Sequence, residues 1–595
     1  MLLLIPFGAG DATHTIGAAI NPISIEAQLA TAVWTNLTAD VVIADGLRWD
    51  YGIDGQGPTD CVASTGTMSF VLNNSPKNSG GVQGWYSPVH ASKRTGWTFG
   101  IPIRLVLTSG SGASVTSITR SGSTATVTTG AAHGLSTGHR VQIVGATEVE
   151  YNGIFAVNVT GATTFTYSVA GTVATPATGT ILWTQAYIKF RGKVREIKPV
   201  AGENRTQKVS VVAHDLMRDL LESDARQVTL QIDQRENGLI LSVLSALPED
   251  ARPVGTEINT GVDVYPFAFD NVGGGVKAGA LIKDVTQSAF GLSFIRGDGT
   301  FVYLNRHTRG TGSSVATFNN TMSELEVPSS LDGVYNHARV TIHPKTIDAT
   351  PTTVLYALTG SPLSIGAGAT VTIWGDYRDP TDVTRLVGGV EAVVPLVAGT
   401  DYSANTEQDG TGLDKTSMLT ITATPFASTA KFQIVNTDQV PVFLRVLQIR
   451  GKGVYDDGPQ TFEAFTEQSY GDRAIDVDMP YQDNHFIGQS AATYIDSQYR
   501  TLETQIASMT IPASANNTLF QQALLREPGD IITATETMTG VSGIDAVIHR
   551  VEFEAVPGGF LTCRWGLAPA APHRQWWQLG LAGRSELGTT TRLGF

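Results

Sequence analysis

The segment AAHGLSTGHRVQIVGATEVEYNGIFAV, residues 131–157, places His133, His139, Glu148 and Glu150 close together in a chain that has only 11 histidines. Imidazoles and carboxylates gathered in this way can hold a transition metal or act as base and acid in a hydrolysis. Their spacing suits neither task. A helical zinc site needs two histidines at i and i+4, and a finger site needs cysteines. Turn chemistry accounts for the same residues: His133 with Gly134 forms one turn, and Tyr151, Asn152 and Gly153 form another.

Other chemistry-bearing stretches reduce to turns in the same way. RGDG, Arg296 to Gly299, matches a cell-adhesion tripeptide, but Asp298 and Gly299 between two alternating runs predict a hairpin turn. EQDGTGLDKT, residues 407–416, lacks the Asp alternation and terminal Glu of a calcium loop. Gly273, Gly275 and Ala278 precede a helical run without a parallel strand-helix-strand unit around them, so they read as loop glycines rather than a dinucleotide fingerprint. No GxSxG elbow, Walker loop or HExxH helix occurs. Trp183, Trp374, Trp576 and Trp577 could stack on a sugar but read as core or interface anchors. A glycosidase pair could come from distant strands, and nothing in the sequence marks one. The expectation is therefore no catalytic residues, no cofactor-binding residues, no metal ligands and no cofactor.

The elements that would carry such residues are mostly strands. The chain has 595 residues, 63 glycines, 26 prolines and only 16% charged residues, a composition that favours β structure with many turns over several domains. GTMSFVLNN alternates at Met68, Phe70 and Leu72 as a half-buried strand, GIPIRLVL ending at Leu107 reads as another strand, and YIKFRGKVREI from Tyr187 to Ile197 as its partner. QKVSVVAHDLMRDLLES changes from strand to helix period at His214 and Asp215, which makes Asp215 a helix cap. GALIKDVTQSAFG predicts a helix before the Asp298 hairpin, and a further helix is predicted from about Gln489 to Gln505.

Two Thr-, Gly- and Val-rich blocks interrupt this pattern. Residues 111–180 contain five short strand-like runs separated by glycine turns, and residues 346–450 contain ATVTIWGDY, SMLTITATPF and AKFQIVNT. The expected organisation is an N-terminal tail (1–22), a first β domain (23–110 and 181–250) interrupted by a small β-module (111–180), a second domain (251–345 and 451–570) interrupted by a β-sandwich (346–450), and a C-terminal docking tail (571–595).

Formal net charge is −14, which argues against a surface that grips nucleic acid through its phosphates. An acidic wall could still line a channel through which DNA slides without sticking. Cys61 and Cys563 are too far apart in the chain for a cysteine framework and read as buried apolar residues. The opening MLLLIPFGAG has no basic flank and is too short to span a bilayer, so a soluble chain made in the cytoplasm is expected.

Several segments resemble the tail-tip hub and minor tail proteins of long-tailed bacteriophages. They are VWTNLTADV (33–41), IDGQGPTDCVASTGTMSFVLNN, YIKFRGKVREIKP with VSVVAHDLMRDLL, SAFGLSFIRGDGTFVYLNR, EQSYGDRAIDVDMPYQDN, LLREPGDIITATE, IHRVEFEAVPGGF and the finish WWQLGLAGRSELGTTTRLGF. HGLSTGHRVQIVGATEVEYNGIFAVNVTGATTFTYSV resembles a β-module inserted in phage structural proteins, with His139 and Arg140 where an acidic or polar pair is commoner. The resemblance implies a mainly β, multidomain fold with two tail-hub-like domains. It implies a structural protein of the virion tail tip that continues or closes the tail tube and helps host attachment and DNA delivery, and not an enzyme. The implied partners are further copies of the chain in a homotrimer, tail tube and distal tail proteins, tail fibre or receptor-binding proteins, host surface glycan, and DNA in transit. The alternatives are a tail-associated glycan-degrading enzyme and a receptor-binding protein.

Overall fold

The computed structural model describes residues 23–570 apart from 32, 111, 202–206, 311, 502–504 and 558–559. The expected tails at 1–22 and 571–595, with Trp576 and Trp577, lie outside the described residues. The fold is mainly β, with several sheets and five α-helices among the described residues.

The first half supplies β1 (Ile23–Ala30), β2 (Val33–Asn36), β3 (Leu47–Gly52), β4 (Thr67–Asn73) and β5 (Pro102–Thr108). Within residues 113–168 lie β6 (Ala113–Ser121), β7 (Thr124–Thr129), β8 (Arg140–Ala146), β9 (Gly153–Ala156), β10 (Asn158–Gly161) and β11 (Thr164–Ser168). These strands enclose their own core of Ile118, Val127, Val141, Ile143, Tyr151, Phe165 and Trp183. β12 (Gly179–Val200) is 22 residues long. Its first part pairs with β8 and its later part with β5 and then with β13 (Lys208–Asp215), so one strand carries the module and the sheet behind it. β13 alternates strictly, burying Val209, Val211 and Ala213. It ends where Asp215 Oδ1 accepts the Met217 N–H at 3.1 Å and starts α1 (Leu216–Glu222), as the change of period predicts.

A helix-rich block follows: β14 (Gln231–Arg235), α2 (Glu236–Ala246), β15 (Gly255–Ile258), β16 (Val264–Ala268), α3 (Ala278–Ser288), β17 (Leu292–Ile295) and β18 (Thr300–Leu304). The three helices and β16 to β18 share one apolar core, containing Met217, Leu239, Val243, Leu281, Phe294 and Phe301. β15 runs parallel to β18 and β17 antiparallel to it. The parallel pair with α3 between its strands differs from the sequence reading of Gly273 and Gly275.

Beyond it come β19 (Ala316–Asn319), β20 (Glu324–Glu326) and β21 (His337–Ile342). Residues 345–456 then form β22 (Lys345–Ile347), β23 (Thr353–Ala357), β24 (Leu363–Ile365), β25 (Thr370–Asp376), β26 (Gly388–Val390), β27 (Tyr402–Asn405), β28 (Leu419–Pro425), β29 (Thr429–Asn436) and β30 (Val442–Asp456), packed around Leu355, Tyr377, Phe432, Leu444 and Ile449. β31 (Gln460–Phe465) and β32 (Ala474–Met479) flank β21 in a three-stranded sheet covered by α4 (His485–Tyr499). Asn484 caps α4 by accepting the Phe486 N–H, so this helix starts and stops earlier than the predicted 489–505.

The chain closes with β33 (Ser508–Ile511), α5 (Asn517–Leu525), β34 (Ile531–Glu536), β35 (Val541–Val556) and β36 (Phe560–Pro569). β33 to β36 do not form a sheet with residues 251–304. β35 pairs with β3, giving the path β2-β1-β5-β12-β13-β4-β3-β35-β36-β33-β20, with β34 on the first part of β35 and β19 on β34. The sheet joins strands of 23–110 and 181–215 to 508–569, while β19, β20 and β21 of the expected 251–345 segment pair with β34, β33, β31 and β32 of 451–570. The physical reason for the joined sheet is one shared core: Trp49, Met68, Phe70 and Ile103 pack with Met509, Phe520, Phe553, Cys563 and Trp565.

Candidate functional site: a charged sheet face

Strand alternation turns Trp49, Tyr51, Val551, Phe553, Cys563 and Trp565 into the core, with Trp49 stacked on Phe553 at 4.8 Å between ring centroids. The same alternation turns the intervening residues of β3, β35, β36, β33 and β20 to the opposite face. Register aligns them in rows. Asp50 stands opposite Glu552, Glu552 opposite Arg564, Arg564 opposite Thr510, and Thr510 opposite Glu324. On one side Arg48, Glu554 and Thr562 form a row, and on the other Gly52, Arg550, Gly566, Ser508 and Glu326 form another.

Charge pairs knit the rows together. Arg48 Nε donates to Glu554 Oε1 at 2.9 Å, Arg564 Nη2 to Glu326 Oε2 at 2.8 Å, and Arg550 reaches Asp50, Asp54 and Glu552. Ser508 Oγ also donates to Glu326, and Thr67 Oγ1 to Asp50. Two clefts, of about 500 and 420 Å³, run over this face. Six carboxylates (Asp50, Asp54, Glu324, Glu326, Glu552, Glu554) and three guanidinium groups (Arg48, Arg550, Arg564) line them, so the face is net acidic.

The Ser508 hydroxyl and Arg564 guanidinium hold the Glu326 carboxyl below the usual carboxylate range. A general acid in glycoside hydrolysis needs the opposite shift. His549, buried beneath the second cleft with Nδ1 at 2.8 Å from Gly55 O, is pushed down to about 4, first by burial and then by the charge of Arg309. It stays a neutral imidazole at neutral pH.

Elsewhere the sequence-derived candidates are taken up by local structure. His133 Nδ1 accepts the Leu135 N–H at 3.0 Å and its ring packs edge-on against Phe165 and Trp183. His139 Nδ1 accepts the Ser136 N–H, and Glu148 accepts both the Thr178 N–H and hydroxyl. Asn152 grips Ala146 from both sides of its peptide, donating to O at 2.7 Å and accepting from N at 2.9 Å. Gly134 and Gly153 adopt positive φ, as those turns require. Asp298 accepts the Thr300 N–H, Gly299 has φ +89°, and Arg296 pairs with Glu257, so RGDG is the β17–β18 turn. Asp409 and Asp414 accept from Thr411 and Thr416 in local turns. Trp374 lies under the Arg226 guanidinium and stacks on Phe426. Cys61 and Cys563 are both buried and unpaired with each other. Sequence reasoning missed the charged face, whose residues lie on five strands; the polar members of VEFEA and CRWG were its only local sign.

No family model and no curated protein matches the chain. It is similar over most of its length to solved prophage tail proteins at low identity. The 43 kDa tail protein of prophage MuSo2 from Shewanella oneidensis aligns over 93% of this chain and 99% of that one, with 7% identity and a TM-score of 0.43. The tail protein from Neisseria meningitidis MC58 aligns over 92% and 95%, with 9% identity and a TM-score of 0.39. Prophage tail protein gp18 from Listeria monocytogenes EGD-e aligns over 92% and 94%, with 7% identity and a TM-score of 0.36.

Proposed function

We propose that this chain is a structural hub protein of a phage tail tip, made in the host cytoplasm and built into the virion, where it continues or closes the tail tube and helps attachment and DNA delivery. The observation that carries the reading is the face on β3, β35, β36, β33 and β20. Its carboxylates outnumber its arginines, and each arginine is already engaged by acid. Such a wall repels phosphates and offers no uncommitted guanidinium to hold them, which suits a lumen that passes duplex DNA. The sequence segments that resemble tail-hub proteins include part of this same face, namely residues 548–556 of β35 within IHRVEFEAVPGGF.

In this reading three chains surround the channel, tail tube and distal tail proteins bind its ends, and the modules at 113–168 and 345–456 stand at the periphery, where tail fibre proteins or host glycan would meet them. Antibody labelling of virions by electron microscopy tests the location, and light scattering of the purified chain tests self-assembly. The expected results are label at the tail tip and particles of three chains. Label confined to the capsid overturns the reading, and a monomer at high concentration with tube protein present overturns the ring.

A further inference from the structure

His343 stands in the short connection between β21 and β22, where the chain leaves the three-stranded sheet for the sandwich at 345–456. Its imidazole lies between two carboxylates. Nδ1 is 3.1 Å from Asp456 Oδ2, at the end of β30 where the sandwich returns, and Nε2 is 2.7 Å from Asp478 Oδ1 on β32. The His343 N–H donates to Gln482 O at 2.8 Å, so the ring is held at this junction by its own backbone. β22 pairs with β30 directly beside it, Lys345 opposite Asp456.

We propose that His343 is a proton-operated latch that fixes the mount of the sandwich on the β31-β21-β32 sheet. An imidazolium has two N–H donors and can serve both carboxylates at once. A neutral imidazole has one, and its other nitrogen then points a lone pair at a carboxylate. Loss of the proton therefore opens one of the two ties.

The surrounding charges reinforce this direction. Asp478, ahead of Asp456, holds the His343 imidazole charged to higher pH than usual, against the opposing effect of burial. Asp284 on α3, which packs against β32, is raised to about 6 by burial first and by the nearby Asp478 charge second, with Lys283 opposing. As pH rises, Asp284 ionises and repels Asp478, and then His343 discharges. Both changes loosen the same joint. The other charged groups here have their own partners or remain neutral to the exchange: Lys345 pairs with Asp270, Arg385 donates to Asp456 O, Asp457 accepts from Thr346, Asp379 accepts from Thr381, Asp476 pairs with Arg339, and the burial-raised Asp483 is opposed by Lys345.

Hydrogen exchange of the full chain between pH 6 and pH 8.5, corrected for intrinsic rates, tests the latch. Peptides covering residues 343–348 and 454–460 are expected to lose protection about tenfold as pH rises, while peptides of β35 stay constant. His343→Gln is expected to remove the loss of protection above about pH 7 and leave only the smaller change from Asp284 near pH 6, and Asp478→Asn to move the midpoint to lower pH with the fold retained. Equal protection of the wild-type junction at both pH values overturns the proposal, as does an unchanged pH dependence in His343→Gln.

Discussion

Lys189 Nζ lies 2.6 Å from Glu527 Oε1, a carboxylate 338 residues further along the chain. The ammonium is buried and also donates to Arg526 O at 3.0 Å, tying β12 to the loop before β34. Burial raises the Glu527 carboxyl and the Lys189 charge opposes that rise. Glu527→Gln leaves the buried ammonium without its counter-charge and is expected to destabilise the fold by about 3 kcal/mol. Lys189→Met combined with Glu527→Gln should recover more than half of that loss in urea unfolding. A double variant no better than the single one would show that the pair stabilises through more than mutual compensation.

His549 makes stability fall on the acid side. Its folded value of about 4 lies below the usual imidazole value, so the unfolded chain takes up a proton that the fold refuses. The contribution is complete above about pH 6.5 and is lost as pH falls toward 4, reaching about 3 kcal/mol. Unfolding curves of His549→Asn from pH 7 to 4 should show a shallower decline than wild type, and parallel declines would refute the assignment.

The acidic face predicts a gain of DNA binding on charge reversal. Glu324, Glu552 and Glu554 changed together to Lys should create salt-sensitive affinity for duplex DNA where the wild type shows none, because added cations release phosphate counterions. Gel shifts at several salt concentrations measure it. Wild-type binding as tight as the variant's would remove the argument for a non-adhesive wall.

Within the module at 113–168, the polar residues should sort by turn role. Asn152→Ala removes both bonds to the Ala146 peptide and is expected to cost about 1–3 kcal/mol. His139→Ala, on an exposed turn, should change stability by less than about 0.5 kcal/mol. Thermal melts of the two variants check the ranking, and the reverse order would restore interest in the histidine.

Local elements were legible from the sequence because their causes are local. Alternation marks β4 and β13, a short apolar run marks β5, which is buried almost throughout, a change of period with a carboxylate marks Asp215, and Asp298 with Gly299 marks the β17–β18 turn. The partnership of β3 with β35 was not legible, since Asp50 and Arg550 are 500 residues apart and either strand alone suits many neighbours. The charged face was hidden for the same reason: each strand contributes one to three polar residues of the kind any exposed strand carries. The parallel β15–β18 pair was obscured by the hairpin and helix between them.

The 22-residue β12 has a mechanical meaning. At about 3.3 Å per residue such a strand reaches up to roughly 70 Å. It runs from the module into the middle of the main sheet without an intervening linker. A pull on the module along this strand would load the β5 and β13 ladders in shear, many hydrogen bonds sharing the force, instead of peeling them one by one. The module is thus a lever rooted in the sheet, able to pass a push or twist received at its tip into the body of the protein.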